Sequence, residues 1–199
     1  MSPLAFGIGK ARGAEFDPAI FYGNFVAFYW NFTNGKDLDI IASFIYPNLG
    51  GEVGARKGNE ITNNEQTVTY MKWGGDNTES TSGYEAIYID IPAIKTVPGF
   101  TGNEIELDLR CMWYGEVGTD PVIITATGYE GGTMELEAAT PGYPGLYGFL
   151  NPTATQSFVD FKSTKGKQIT ETNRENSGQR VSRVKINLNT YTLTFIEDN

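Results

Sequence analysis

Apolar and polar residues alternate along much of the chain with a period of two, which is the spacing of a β-strand with one buried face. The clearest case is the segment 104–114, where charged residues separate the apolar positions Ile105, Leu107, Leu109 and Cys111. The alternation returns in 180–188 and 191–195, and a turn at Asn189 and Thr190 would pair these two strands. No window has the apolar spacing of a helix longer than two or three turns. The pattern therefore predicts an all-β fold, a two-sheet β-sandwich.

The segment 21–32 differs from the others because it is apolar at nearly every position. As a strand, one face would carry Phe25, Ala27 and Tyr29, and the other would carry Val26, Phe28 and Trp30. Two interpretations fit this composition. The segment is either a central strand that is covered on both faces, or a strand with one face covered by a neighbouring subunit.

Turn residues and changes of composition divide the chain into four predicted parts of one domain. Residues 1–22 form an extended N-terminal arm, and residues 23–140 form the sandwich core. Residues 141–180 are an insert rich in glycine, proline and aromatic residues, and its last part, 164–180, is predicted to be a mobile polar loop. Residues 181–199 supply C-terminal strands that complete the same domain. The predicted fold is thus a sandwich with an N-terminal arm and a loop-rich C-terminal extension.

The charge balance excludes some classes of partner. The chain has 15 Lys and Arg against 24 Asp and Glu, a formal net charge of −9. Nucleic-acid binding is not expected, because contacts with phosphates need clustered basic residues. No apolar run reaches membrane-spanning length, and no basic segment precedes an apolar one. We therefore expect neither a membrane partner nor secretion by a signal peptide.

The chain offers little of the usual catalytic chemistry. It contains no histidine, the commonest general base, and Cys111 is its single cysteine. Cys111 shares a face with apolar residues, so we interpret it as a buried hydrophobic residue. The carboxylate pairs that invite comparison with glycosidases lie on alternating strands and are expected to face solvent; these pairs are Glu104 with Glu106 and Glu135 with Glu137. We therefore predict no catalytic residues and no enzymatic activity.

One stretch, residues 74–91, combines a tight polar turn with a following strand. The turn is Gly75-Asp76-Asn77, and the strand begins near Glu85. A sharp turn that presents oxygen ligands beside a β-strand can hold a hard cation such as calcium. The same pattern also builds an ordinary surface hairpin, in which the acidic residues hydrogen-bond the backbone.

The order of motifs in residues 23–140 resembles the TerD-like family of tellurite-resistance and general-stress proteins. Three pieces carry the resemblance. Asp37-Leu38-Asp39, followed by Ala42-Ser43-Phe44, is similar to that family's Asp-Leu-Asp-Ala-Ser-Ala-Phe strand. Gly75-Asp76-Asn77-Thr78 is similar to its Gly-Asp-Asn turn. The strand from Glu85 to Ile91, followed by Pro92, is similar to the family's strand that leads into a Val-Pro connector.

The resemblance implies a two-sheet β-sandwich with a calcium site near one edge. The ligands carried over by position would be Asp37, Asp39, Asp76, Asn77 and Glu85. The chain departs from the family at 80–84, where Ser-Thr-Ser-Gly-Tyr replaces an acidic, glycine-rich run. Fewer carboxylates lower the affinity for calcium. In the alternative interpretation Asp37 and Asp76 cap turns and bind no metal.

The lack of catalytic residues favours an assembly or binding module. An arm and a glycine- and proline-rich insert lose much conformational entropy on ordering unless a neighbour covers them. We therefore expect a self-assembling structural subunit of a bacteriophage virion (a decoration, tail or sheath-type protein) or of a similar filament. Its partners would be further copies of itself and other structural proteins of the same particle. The alternative is a cytoplasmic, TerD-like calcium-binding stress protein.

Overall fold

The computed structural model describes residues 19–20, 25–33, 36–77, 82–129, 135–137, 148–150, 162–174 and 177–197. They form strands and one short helix, α1, at Ile91–Lys95. The strands are Ala19–Ile20 (β1), Phe25–Thr33 (β2), Leu38–Tyr46 (β3), Val53–Gly54 (β4), Glu60–Thr62 (β5), Thr69–Trp73 (β6), Ser82–Asp90 (β7), Glu104–Trp113 (β8), Ile123–Tyr129 (β9), Glu135–Glu137 (β10), Gly148–Leu150 (β11), Lys162–Ser163 (β12), Gln179–Asn187 (β13) and Thr192–Ile196 (β14).

Two antiparallel sheets make up the body of the protein. The first sheet has the strand order β1-β14-β13-β8-β3-β4, and the second has the order β12-β9-β2-β7-β6-β5. Strands β10 and β11 form a separate antiparallel pair. This arrangement confirms the predicted all-β, two-sheet sandwich. The predicted turn at Asn189 and Thr190 is confirmed as well, since β13 and β14 pair from Asn187 opposite Thr192.

The main core lies between the inner faces of the two sheets. In β8, the four apolar positions identified by alternation are all completely buried there: Ile105, Leu107, Leu109 and Cys111. On the facing sheet, β2 contributes Val26, Phe28 and Trp30 to the same cluster. Each large apolar side chain buried in this way stabilises the fold by about 1.5–3 kcal/mol relative to exposure.

The outer face of β2 is also buried, as the apolar composition of this strand predicted. Strand β2 lies between β9 and β7, so it is a central strand. Phe25 and Ala27 form a second cluster with residues of the neighbouring strands, and Tyr29 packs against it. The Tyr29 and Tyr129 hydroxyls lie 2.8 Å apart, within hydrogen-bonding distance. Strand β11, which belongs to the separate pair, contacts β7, the neighbour of β2. These observations favour the first interpretation, a strand covered on both faces.

The segment predicted as a mobile polar loop is packed against the sandwich where the structure describes it. Ile169 is completely buried, and its carbonyl oxygen accepts a hydrogen bond from Trp113 Nε1 at 3.0 Å. Lys167 pairs with Val122 as an antiparallel bridge. Residues 164–174 are thus a loop that packs against the sandwich at Ile169, and the predicted mobility stays a prediction.

The predicted arm and insert lie largely outside the described residues. Within 1–22, the structure describes only β1, whose backbone pairs with Thr192 and Leu193 of β14. Within 141–161, it describes only β11.

At the C-terminal end of β7, Asp90 caps α1, since its Oδ1 accepts a hydrogen bond from the backbone N–H of Ala93 at 2.9 Å.

Candidate metal centre

Three carboxylates converge at one end of the sandwich. Asp37 directly precedes β3 of the first sheet, Asp76 follows β6 of the second sheet, and Glu85 lies in β7. One carboxylate oxygen from each lies within 4.8 Å of the other two. We refer to Asp37, Asp76 and Glu85 as the acidic triad. It joins residues that are far apart in sequence and that belong to both sheets.

Local backbone contacts place the triad. Gly75 has a φ of 97°, a left-handed conformation that glycine adopts without strain, and this lets the chain turn directly before Asp76. The N–H of Gly74 donates to the Ala86 carbonyl at 2.8 Å, which keeps the turn beside β7. On the other side, the N–H of Tyr114 donates to the Asp37 carbonyl at 2.8 Å and fixes the residue that leads into β3.

Glu85 is the most deeply buried member of the acidic triad, with 1% of its surface exposed. It points to the inner face of β7, as do Ile87 and Ile89. Its Oε1 accepts a hydrogen bond from the backbone N–H of Asn77 at 3.1 Å, and its Oε2 accepts one from Trp73 Nε1 at 3.4 Å. Burial raises the pKa of Glu85 well above its usual value. An ionised carboxylate at this depth needs a compensating positive charge.

The other carboxyl groups of the site have raised pKa values for a related reason. Burial, followed by the nearby charges of Asp76 and Asp39, raises the pKa of Asp37 to about 7. Burial, followed by Asp76, raises the pKa of Asp39 to about 6, although the charge of Arg56 acts in the opposite direction. Burial also raises the pKa of Asp76. Without a cation, the site therefore holds protons that exposed carboxylates would release at neutral pH.

Two oxygens of the acidic triad are buried without a hydrogen-bond partner: Asp37 Oδ1 and Asp76 Oδ1. No described backbone N–H donates to these two oxygens, and residues 78–81, which would donate to Asp76 in a capped turn, lie outside the described residues. Carboxylate oxygens are hard ligands that suit calcium or magnesium. The unpaired oxygens and the donor set therefore fit a divalent cation.

The resemblance also implied Asp39 and Asn77 as ligands, and Asp39 is not among the described carboxylates whose oxygens lie within 4.8 Å of one another. Leu38 and Ile40 face the core and Asp39 alternates with them, yet its charge interacts with those of Asp76 and Asp37. Asn77 holds the turn beside β7, since its backbone N–H donates to Glu85 Oε1 and its Nδ2 donates to the Tyr84 carbonyl at 3.0 Å. Their roles as ligands stay predictions.

Trp73 is the residue of this site that the sequence analysis did not identify. It ends β6, and its indole N–H reaches Glu85 only because β6 and β7 pair in a particular register. An alternating strand such as β6 contains no signal for such a contact. Trp73 is also not found by looking for Asp and Glu residues, because its side chain donates to Glu85 and would not bind the cation itself.

The other groups that the sequence offered for chemistry are paired with basic side chains, buried or outside the described residues. Glu104 forms an ion pair with Lys185 at 3.0 Å, and Glu106 forms one with Arg183 at 3.4 Å. Burial raises the pKa of the Cys111 thiol well above its usual value, which disfavours the reactive thiolate. The side chains of the second glutamate pair, in β10, lie outside the described residues.

Comparison of the chain with protein-family models, with curated proteins and with solved structures finds no match. The resemblance to the TerD-like family therefore stays a prediction that rests on the quoted motifs. The one helix among the described residues, α1, has five residues, and no helix there is long and apolar enough to cross a membrane.

Proposed function

We propose that the protein binds a divalent cation, calcium by its ligand chemistry, at the acidic triad. The observation that carries this proposal is the pair of buried, unpartnered oxygens of Asp37 and Asp76 beside the buried Glu85. Buried polar atoms without partners are rare in proteins and call for an explanation. A cation satisfies both oxygens and balances the charge of Glu85 at the same time.

The bound cation would act as a link between the sheets. Asp37 leads into the first sheet, whereas Asp76 and Glu85 belong to the second. The binding energy is therefore added to the stability of the packed sandwich, because the unfolded chain does not bring these residues together. Calcium takes six to eight oxygen ligands. Backbone carbonyls or water would supply those that the acidic triad does not.

Calorimetric titration of the metal-free protein tests the proposal. We expect calcium to bind with a Kd below about 1 mM at a pH above 7, the raised pKa of Asp37, and more weakly at lower pH. Asp76→Asn and Glu85→Gln remove one charge each from the acidic triad and should weaken binding at least tenfold (about 1.4 kcal/mol). Asp120→Asn removes a carboxylate outside the acidic triad and serves as the matched control. A wild-type protein without heat of binding or a shift in Tm would refute the proposal.

A second candidate function is the structural subunit predicted from the sequence. What supports it is β1, a two-residue strand of the predicted N-terminal arm that forms one edge of the first sheet. Light scattering in EDTA and then in calcium tests this candidate. Large particles in both conditions would favour metal-independent assembly, and a monomer in both would count against it. The placement in a virion stays a prediction.

A further inference from the structure

We infer that Trp73 is the positioning residue that aims the Glu85 carboxylate at the cation, an inference that rests on the proposed function. The indole would not touch the metal. It would act through the hydrogen bond from its Nε1 to Glu85 Oε2, which is 3.4 Å long. Partners of metal ligands fix the orientation of the ligand and raise the affinity for the metal.

The register of two strands brings Trp73 to this position. Trp73 pairs with Ile87 in the antiparallel ladder between β6 and β7, so the two side chains share a face of the sheet. Glu85 lies two residues before Ile87 on that same face. Trp73 and Glu85 are therefore diagonal neighbours, within reach of a long side chain.

Two donors approach Glu85, one at each oxygen. The backbone N–H of Asn77 binds Oε1 at 3.1 Å, and Trp73 binds Oε2. Together they restrain rotation of the carboxylate plane and leave further lone pairs on both oxygens for a cation. Water cannot easily replace a lost donor, because only 1% of Glu85 is exposed. Without Trp73, the Glu85 carboxylate would rotate away from the space between the three carboxylates, where the cation would bind.

The other tryptophans provide an internal comparison. Trp30 lies directly opposite Glu85 in the ladder between β2 and β7, but its buried Nε1 has no hydrogen-bond partner. Trp113 donates its N–H to the Ile169 carbonyl instead. Of the three tryptophans in the chain, only Trp73 donates to Glu85. Trp30→Phe is thus a matched control, since it deletes the same atoms beside the same glutamate without removing a bond to it.

The experiment combines calcium calorimetry with luminescence of terbium(III), a probe that takes the same oxygen ligands as calcium. Terbium is excited directly, and its lifetimes in light and heavy water count the water molecules bound to the ion. We expect Trp73→Phe to weaken calcium binding about tenfold and to add about one bound water, because Glu85 ligates less well. Trp30→Phe should change neither the calcium affinity nor the water count.

The outcomes separate this inference from the proposed function. A wild-type protein that binds neither ion overturns both. If the wild type binds and Trp73→Phe has the same affinity and water count, only the positioning role is overturned. Should Trp73→Phe fail to fold, benzothienylalanine at position 73 keeps the shape of the ring and replaces the N–H by sulfur. That protein should reproduce the weaker binding, and wild-type affinity in it would also overturn the positioning role.

Discussion

Replacing Asp37 by asparagine separates two contributions to stability. One is the cost of ionising Asp37 in the metal-free protein, and the other is the stability that a bound cation adds. The pKa of Asp37 is raised from 3.8 to about 7. The folded protein therefore holds a proton that the unfolded chain releases, and the stability of the metal-free protein falls as the pH rises from about 4 to about 7. Asparagine cannot ionise and removes this loss. Asp37→Asn should thus stabilise the metal-free protein at neutral and alkaline pH.

The size of the effect follows from the pKa shift of Asp37 and its exposure. About three pKa units correspond to about 4 kcal/mol for a group shielded from water. Asp37 is only half-buried, so solvent screening reduces this to about 2 kcal/mol. For a chain of 199 residues, each kcal/mol shifts Tm by about 2–4 °C, which gives an increase of about 6 °C for the variant. The difference should shrink as the pH falls from 7 towards 4.

Thermal unfolding followed by circular dichroism in EDTA, between about pH 4.5 and 8, measures this difference. Asp120→Asn is again the control and should follow the wild type at every pH. Calcium should then raise Tm of the wild type and of the control by more than that of Asp37→Asn, which lacks one ligand. A lower Tm of Asp37→Asn in EDTA near neutral pH, or a difference from the wild type that does not change with pH, would refute the electrostatic reasoning.

Substitutions at three further positions test packing, capping and hydrogen bonding elsewhere in the fold. Cys111→Ser should cost about 1–3 kcal/mol in the free energy of unfolding, because it buries a hydroxyl among apolar side chains; chemical denaturation measures this, and the native thiol should resist labelling until the protein unfolds. Asp90→Ala should cost about 1 kcal/mol by removing the cap of α1, whereas Asp90→Asn should keep most of that stability. Tyr29→Phe should cost about 1 kcal/mol if the hydrogen bond to Tyr129 contributes as expected, and an unchanged Tm would argue against that.

The sequence predicts the parts of the fold in which local pattern and burial agree. Alternation in β8 correctly places Leu107 and Cys111 inside the sandwich, and the Asn189-Thr190 turn correctly pairs the last two strands. Asn187, which precedes this turn, stabilises it, since its Oδ1 accepts hydrogen bonds from the N–H groups of residues 189 and 190. These signals are contained within a few residues, so no knowledge of distant contacts is needed.

The remaining features depend on contacts between distant residues. Ile169 is a lone apolar residue in a polar segment, and only its position beside Trp113 shows that it is buried. The motif around Asp37 places Asp37 and Asp39 close together, but that Asp37 meets Asp76 and Glu85 of the other sheet depends on the packing of the two sheets. The bond between Trp73 and Glu85 requires one specific register of two strands. Periodicity determines which face a residue occupies and leaves the register open.

The outermost strands of both sheets have a bearing on how copies of this protein can meet. The first sheet is flanked by β1 and β4, each of two residues, and the second by β12 and β5, of two and three residues. Strands this short offer few open backbone groups on which another chain could extend a sheet, a common way in which natural proteins avoid amyloid-like stacking. Among the described residues, another copy could extend either sheet only beside these short strands or along the parts of β3, β9 and β14 that they leave uncovered.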